Sequence, residues 1–200
     1  RKTNSIISTQ GMTGSRSGKS ERTRFGLNVI SGTISYAVSP LIMDLLLPRI
    51  LGANESTDVF ALAETLPTFD VLVERIAQRH VYVGCYVNKA TFKFTPGEFV
   101  MLDLEVFGTS ETVSATAFPS ITTPVDVPYI MSDVVGTFVS SARTLTSLEI
   151  TIDNALAVRN SNSLNATDIS PSDRIITVTA TTPYTSAETD LYNQALLGSA

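Results

Sequence analysis

The sequence predicts a mostly β fold of the α+β class, with about seven strands and two short helices. Three observations predict it. Thr, Ser and Val are abundant and Trp is absent, which favours strands over helices. Apolar and polar residues alternate with a period of two in several stretches. Residues 81–108 are predicted to form a long β-hairpin with a tight turn at residues 95–98.

Composition is typical of a globular domain, and it argues against nucleic acid and membranes as partners. With 200 residues, 43% of them hydrophobic and 16% charged, it can bury a core as a single domain. A net charge of −5 argues against wrapping nucleic acid, which requires clustered Lys and Arg. No apolar run approaches the roughly 20 residues that a membrane helix needs. We therefore expect no membrane partner.

The first quarter of the chain predicts an arm, a strand and a helix. Residues 1–24 are polar and basic and predict an exposed arm or loop, with a short strand at Ile6-Ile7. Residues 25–200 follow as one β domain, and residues 30–38 alternate as a strand. Ser39 is placed to cap a helix from Pro40 to Leu51, which Gly52 ends.

The long hairpin is the most regular part of the sequence. Its turn, Thr95-Pro-Gly-Glu98, suits a type II turn, because Gly takes the required positive φ at low cost. In the second strand Val100, Leu102, Leu104 and Val106 share one face, whereas Met101, Asp103, Glu105 and Phe107 share the other. One face is therefore predicted to meet the core and the other to meet water or a partner.

The remaining elements alternate with polar connections. Residues 54–66 predict a loop with one helical turn at 58–63, and residues 68–75 a strand. Residues 109–128 predict a long irregular connection rich in Thr, Ser and Pro. Strands are predicted near residues 148–153 and 174–182. A capping box at Thr185–Glu188 predicts a final helix over 189–197.

Residues with catalytic potential do not form a recognisable site in the sequence. Gly14–Ser20 ends in Gly-Lys-Ser, but Thr13 stands where a phosphate-binding loop needs its first Gly, and a β pattern follows. His80 is the single histidine and is predicted to be an exposed turn residue. Cys85 is the single cysteine and is predicted to be buried and inert. We therefore predict no enzyme, no cofactor and no metal.

Two pairs of carboxylates share strand faces, namely Asp103 with Glu105 and Glu149 with Asp153. Such pairs could serve glycoside hydrolysis. No Trp is available for a sugar platform, however, and no further polar group is visibly placed to shift either pKa. A solvated sheet face is the preferred interpretation.

Several segments in order resemble the major tail tube proteins of long-tailed bacteriophages. They are residues 31–40, the leucine-rich helix 45–52, Tyr82–Phe92 with the hairpin, Leu148–Asn154, Asp168–Val178 and the helix around Leu191-Tyr192. The similarity covers about residues 25–197. Members of this family often continue beyond the last helix, so we expect pieces of the native subunit to lie outside this chain.

The resemblance implies a β-sandwich or barrel-like subunit that packs into stacked hexameric rings around a lumen for DNA. It implies self-association, contacts with the tape measure, tail terminator and distal tail proteins, and a place in the virion tail after assembly in the host cytoplasm. On this basis Glu98, Asp103 and Glu105 are candidates for the lumen or the ring interface. The basic residues of the arm are candidates for docking on an adjacent ring: Arg16, Lys19, Arg22 and Arg24.

A second interpretation stays open from the sequence. The chain could be a carbohydrate- or protein-binding β-sandwich module of an adhesin. Oligomeric state separates the two, because a binding module stays monomeric whereas a tube subunit forms rings or polymers.

Overall fold

Strands dominate the structure, as predicted. It is a computed structural model that describes residues 1–8, 23–57, 59–75, 78–114, 117–118, 120, 125–138, 141–185 and 189–197. The helices are α1 (Pro40–Leu51) and α2 (Thr189–Leu197), and a 3₁₀ turn covers Met131–Asp133. The strands are β1 (Lys2–Ser8), β2 (Thr23–Ala37), β3 (Gly52–Ser56), β4 (Val59–Leu62), β5 (Phe69–Arg75), β6 (Gln78–Phe94), β7 (Met101–Gly108), β8 (Ser110–Ser114), β9 (Gly136–Phe138), β10 (Ser141–Arg143), β11 (Ser147–Asp153), β12 (Ala157–Arg159), β13 (Asp168–Ser170) and β14 (Ile175–Thr181).

One antiparallel sheet organises the molecule. Its strand order is β1-β2-β7-β6-β11-β14, and it curls into a half-barrel. The first part of β6 extends beyond this path and pairs with β5 and β8. Three separate two-stranded pairs, β3-β4, β9-β10 and β12-β13, decorate the sheet.

The β6–β7 hairpin has the predicted geometry. The Glu98 amide donates to the Thr95 carbonyl at 3.2 Å, and Gly97 has a φ of 79°. Along β7 buried residues alternate with more exposed ones, and Leu102, Leu104, Val106 and Gly108 are the buried members. The predicted two-faced strand is confirmed.

Helix α1 covers the apolar face of the sheet. It begins after Ser39 and ends at Gly52, as predicted, and Ile50 is fully buried against the sheet core. Gly52 has a φ of 101°, and its amide donates to the Pro48 carbonyl. The prediction that Ser39 caps this helix is wrong, because its side chain makes no capping hydrogen bond within the described residues. Pro40 at the first helical position favours the start instead.

A buried amide connects the helix to the sheet. Asn154, just after β11, donates to the Ile50 carbonyl at 3.1 Å and to the Val87 carbonyl at 3.0 Å. Its own oxygen accepts a hydrogen bond from Arg174 Nε at 2.8 Å, and that guanidinium also donates to the Ala63 carbonyl. Asn154 thus joins α1, β6 and the segment before β14.

The structure has more strands than the sequence analysis expects. Residues 52–56 and 59–62 form the β3-β4 pair where a loop with a helical turn was predicted. Ser110–Ser114 form β8 inside the predicted irregular connection. Lys2–Ser8 of the predicted arm form β1, which is longer than the short strand expected at Ile6-Ile7. Each of these strands gains its order from hydrogen bonds to a partner strand, which local propensity does not register. The division of the chain at residue 24 stays a prediction.

Candidate assembly surfaces

The sheet ends on one side at β14, whose seven residues are all exposed. Ile176 and Val178 lie opposite Ile152 and Ile150, on the face that α1 covers further along the sheet. Their exposed fractions are nonetheless 48% and 52%. An apolar edge strand of this kind is a ready template for pairing with another chain.

The other side of the sheet is open over part of β2. Strand β1 pairs with β2 only as far as Ile30, and Arg1 adds backbone hydrogen bonds to Ser31. On that side no described strand pairs with residues 32–37, although β7 pairs with them on the other. The sheet therefore has two unlike open edges, β14 and the second half of β2.

The face of the sheet opposite α1 is polar and carries both signs of charge. Neighbouring strands align their side chains here in three rows: Thr33, Glu105, Lys89, Asp153 and Ile175; Ser35, Asp103, Thr91, Thr151 and Thr177; and Ala37, Met101, Lys93, Glu149 and Thr179. We call these residues the polar face. Its four carboxylates outnumber its two ammonium groups, so it has a net charge of two negatives.

Two of the predicted site residues, Asp103 and Glu105, lie on the polar face. The Asp103 carboxylate accepts a hydrogen bond from Lys93 Nζ at 2.7 Å and a second from the Ser35 hydroxyl. The hydrogen bond from Lys93 is the main reason that the pKa of Asp103 is lowered, and the same bond raises the pKa of Lys93. Glu105 lies between Thr33 and Lys89 in the strand register.

The two lysines of the polar face were not among the predicted site residues. Lys89 and Lys93 alternate with Ala90 and Phe92 along β6, so the signal was present in the same hairpin. Only the strand register shows that Lys89 stands between Glu105 and Asp153 and that Lys93 stands beside Glu149.

The remaining predicted site residues lie elsewhere. Glu98 is exposed in the β6–β7 turn and does not join the polar face. Arg24 is exposed on β2, opposite Ile7 of β1. Arg16, Lys19 and Arg22, like the Gly14–Ser20 segment, lie outside the described residues.

The two residues with catalytic potential, Cys85 and His80, both lie in the partly or fully buried part of β6. Cys85 is buried as predicted, and burial raises the pKa of its thiol to about 11. The prediction of an exposed turn histidine is wrong. His80 lies within β6, its side chain is 13% exposed, and its Nδ1 is 2.8 Å from Glu111 Oε1 of β8. The pairing of β8 with β6, which the sequence analysis missed, accounts for this burial.

The described residues contain no group of three or more His, Cys, Asp or Glu side chains placed to hold a metal ion. No helix among them has the length and apolar character to cross a bilayer.

Comparison with known proteins supplies the identity of this architecture. A search of curated proteins found no match. A family model described as phage tail tube protein matches residues 7–200. The match extends further toward the start than the segments that carry the resemblance, and it includes the last two residues of β1 and every other described strand. Because it covers nearly the whole length, the chain belongs to the phage tail tube protein family, whose members are structural components of the virion tail.

Proposed function

We propose that this chain is the subunit of stacked hexameric rings that form the phage tail tube, and that DNA passes through their lumen. One observation carries the proposal: the half-barrel sheet ends in two unlike open edges, and the β14 edge exposes apolar side chains. Among the described residues of a single copy, no strand pairs with these edges. A ring of copies joined edge to edge satisfies both and closes the curled sheets into one barrel.

The polar face is suited to line the lumen of such a ring. It lies opposite α1, and its threonine hydroxyls and mixed charges are compatible with water. Its net negative charge repels phosphate, and Lys93 is held by Asp103 instead of standing ready for DNA. In the proposed ring Asp103 and Glu105 face the lumen, and Glu98, in the hairpin turn, faces the lumen rim or an adjoining ring.

The proposal also assigns a non-enzymatic role and a set of partners. The subunit carries no cofactor, assembles in the host cytoplasm, and contacts the tape measure, tail terminator and distal tail proteins in addition to its own copies. The family to which the chain belongs supports self-assembly and contact with other tail proteins in general.

Imaging tests the ring directly. Negative-stain electron microscopy of the purified chain is expected to show rings with sixfold symmetry and tubes built from them. A chain that stays monomeric at micromolar concentration would instead favour the adhesin-module interpretation. Rings of another symmetry would be consistent with a tube subunit but would contradict the hexamer.

A charged variant of β14 tests whether this edge is the interface. Val178→Asp is expected to abolish rings because an unpaired carboxylate would be buried at the junction. Circular dichroism should stay unchanged, since Val178 is half-exposed in the single subunit. The matched control is Val113→Asp on β8, where the exposed fraction is similar at 55%. Rings formed equally well by both variants would rule out β14.

The basic arm has its own test. In the proposed tube Arg16, Lys19, Arg22 and Arg24 dock on an acidic patch of the adjacent ring. Replacing all four with Gln is expected to shorten tubes and lower their resistance to dissociation while leaving single rings intact. Deleting the arm would be less informative, because it removes β1 and the first residues of β2. Tubes of unchanged length and stability would contradict docking through these charges.

A further inference from the structure

An apolar groove runs beside the open edge of β2. It lies between α1, β2 and β5, has a volume of about 300 Å³, and is lined by Ile34, Tyr36, Leu45, Phe69 and Leu72 among others. We call it the α1 groove. Tyr36, Leu45 and Leu72 are 37%, 65% and 48% exposed, so the groove presents apolar surface that the described part of a single subunit leaves uncovered.

The charged residues at the border of the α1 groove are already engaged. Arg49 donates to the Thr68 carbonyl at 2.9 Å, and the Asp70 carboxylate accepts from the Gly84 amide at 3.0 Å. These contacts leave aliphatic and aromatic side chains as the main surface that an occupant would meet. An occupant with small branched apolar side chains fits this chemistry.

The strand register places a matching pair of side chains at the opposite edge of the sheet. Ile34 and Tyr36 of β2 stand opposite Leu104 and Leu102 of β7, on the face that α1 covers. Ile176 and Val178 of β14 point to that same face and have the same two-residue spacing. If a strand β14 from another copy continued the sheet beyond β2, its Ile176 and Val178 would lie beside Ile34 and Tyr36, under Leu45.

We propose that the α1 groove is the docking site for Ile176 and Val178 of a neighbouring copy of this chain. This inference rests on the proposed ring and adds which residues meet across each junction. The occupant is a second copy because the groove and the β14 side chains lie at the two open edges of one sheet, and because the family self-assembles. The contact is heterologous, since β14 of one copy meets β2 of the next, and repetition of such a contact can close a ring.

The proposed junction has a defined strand direction. Successive strands from β2 through β7, β6 and β11 to β14 are all antiparallel, so β2 and β14 run the same way within one copy. Rotation about a ring axis preserves that direction. Strand β14 therefore meets the neighbour's β2 in parallel, in a sheet whose other pairings are antiparallel.

Cross-linking between two single-cysteine variants tests the docking. One preparation carries Val178→Cys and the other carries Tyr36→Cys, and they are mixed before assembly and treated with a short bismaleimide. Native Cys85 is buried and its thiol pKa is about 11, so it contributes little background at neutral pH. Because the contact is heterologous, the mixture is expected to give cross-linked dimers, and each variant alone is not.

Microscopy of the same samples separates this inference from the ring itself. Rings, together with cross-linked dimers that form only when Val178→Cys is mixed with Tyr36→Cys, support both the ring and the groove assignment. Rings without cross-links, or dimers formed by one variant alone, overturn the groove assignment and leave the ring standing. In a control mixture, Val113→Cys on β8 replaces Tyr36→Cys as the partner of Val178→Cys. Equal cross-linking in this control also overturns the groove assignment. Monomers without rings or cross-links overturn both proposals.

Discussion

At the residue scale, the clearest determinant of stability is the buried amide of Asn154. Its two donated hydrogen bonds and one accepted hydrogen bond link α1, β6 and Arg174. The residue follows a predictable strand, but its partners lie 67 and 104 residues away in the chain. The sequence motif Thr-Ile-Asp-Asn could therefore be noticed without any indication of this role.

Removing that amide is expected to destabilise the subunit. Asn154→Ala removes a buried hydrogen-bond partner from the Ile50 carbonyl, the Val87 carbonyl and the Arg174 guanidinium. We expect a loss of about 2 to 3 kcal/mol in the free energy of unfolding. Urea denaturation measures it, and exposed Asn54→Ala on β3 is the control. Equal midpoints for the two variants would show that the amide contributes little.

The Lys93–Asp103 pair predicts a measurable titration change. Because its pKa is lowered in the folded chain, Asp103 adds stability that is present above its ordinary pKa and lost as pH falls through the lowered value. Lys93→Gln is expected to move the pKa of Asp103 up toward its ordinary value. Carboxyl-carbon NMR titration checks this, with Lys89→Gln as the control. An Asp103 pKa unchanged by Lys93→Gln would contradict the assigned cause.

At the scale of elements, local sequence signals predicted helix α1 and the β6–β7 hairpin but not the equally local β3–β4 pair. Helix α1 and the β6–β7 hairpin follow from Pro40, Gly52 and the Pro-Gly turn, and the structure places both as predicted. Strands β1 and β8 were largely missed, because each is ordered by a partner that is distant along the chain. Polar and short segments of this kind take their conformation from the sheet they join.

Two glycines with positive φ provide an element-scale prediction. At Gly97 an added Cβ would meet nothing within 4 Å, so Gly97→Ala should cost only backbone strain, about 1 to 2 kcal/mol. At Gly52 the added Cβ would lie 2.6 Å from the Thr65 carbonyl oxygen, and Gly52→Ala should cost clearly more. Urea denaturation of both variants compares them. A greater loss at Gly97 would mean that the helix end tolerates a rearrangement.

At the scale of the whole molecule, the sequence predicted the polar face only in part. Alternation along β7 identified Asp103 and Glu105, and the family resemblance suggested a tube. The intervening lysines and the two open edges depend on strand order, which periodicity does not determine. The surfaces that matter most for assembly therefore became visible only with the sheet topology.

The charge of the polar face predicts how assembled tubes treat DNA. Wild-type tubes are expected to retain little of a short fluorescent duplex at low salt. Tubes of the Asp103→Lys, Glu105→Lys double variant should retain much more, and added salt should release it. Sedimentation of tubes with bound fluorescence measures this. Glu55→Lys with Glu64→Lys, which alters acids away from this face, is the control, and equal retention by both variants would contradict a lumen position.

The common direction of the strands in the proposed ring has a consequence for the finished tail. The β6–β7 turn lies at one end of the sheet, and the β1–β2 pairing lies toward the other. Rotation about the tube axis gathers all turns on one rim and all β1–β2 ribbons on the opposite rim. Such a cylinder has two ends of different chemistry, so a protein that binds one end has no equivalent binding surface at the other. Tube growth can therefore start at one end and be terminated at the other.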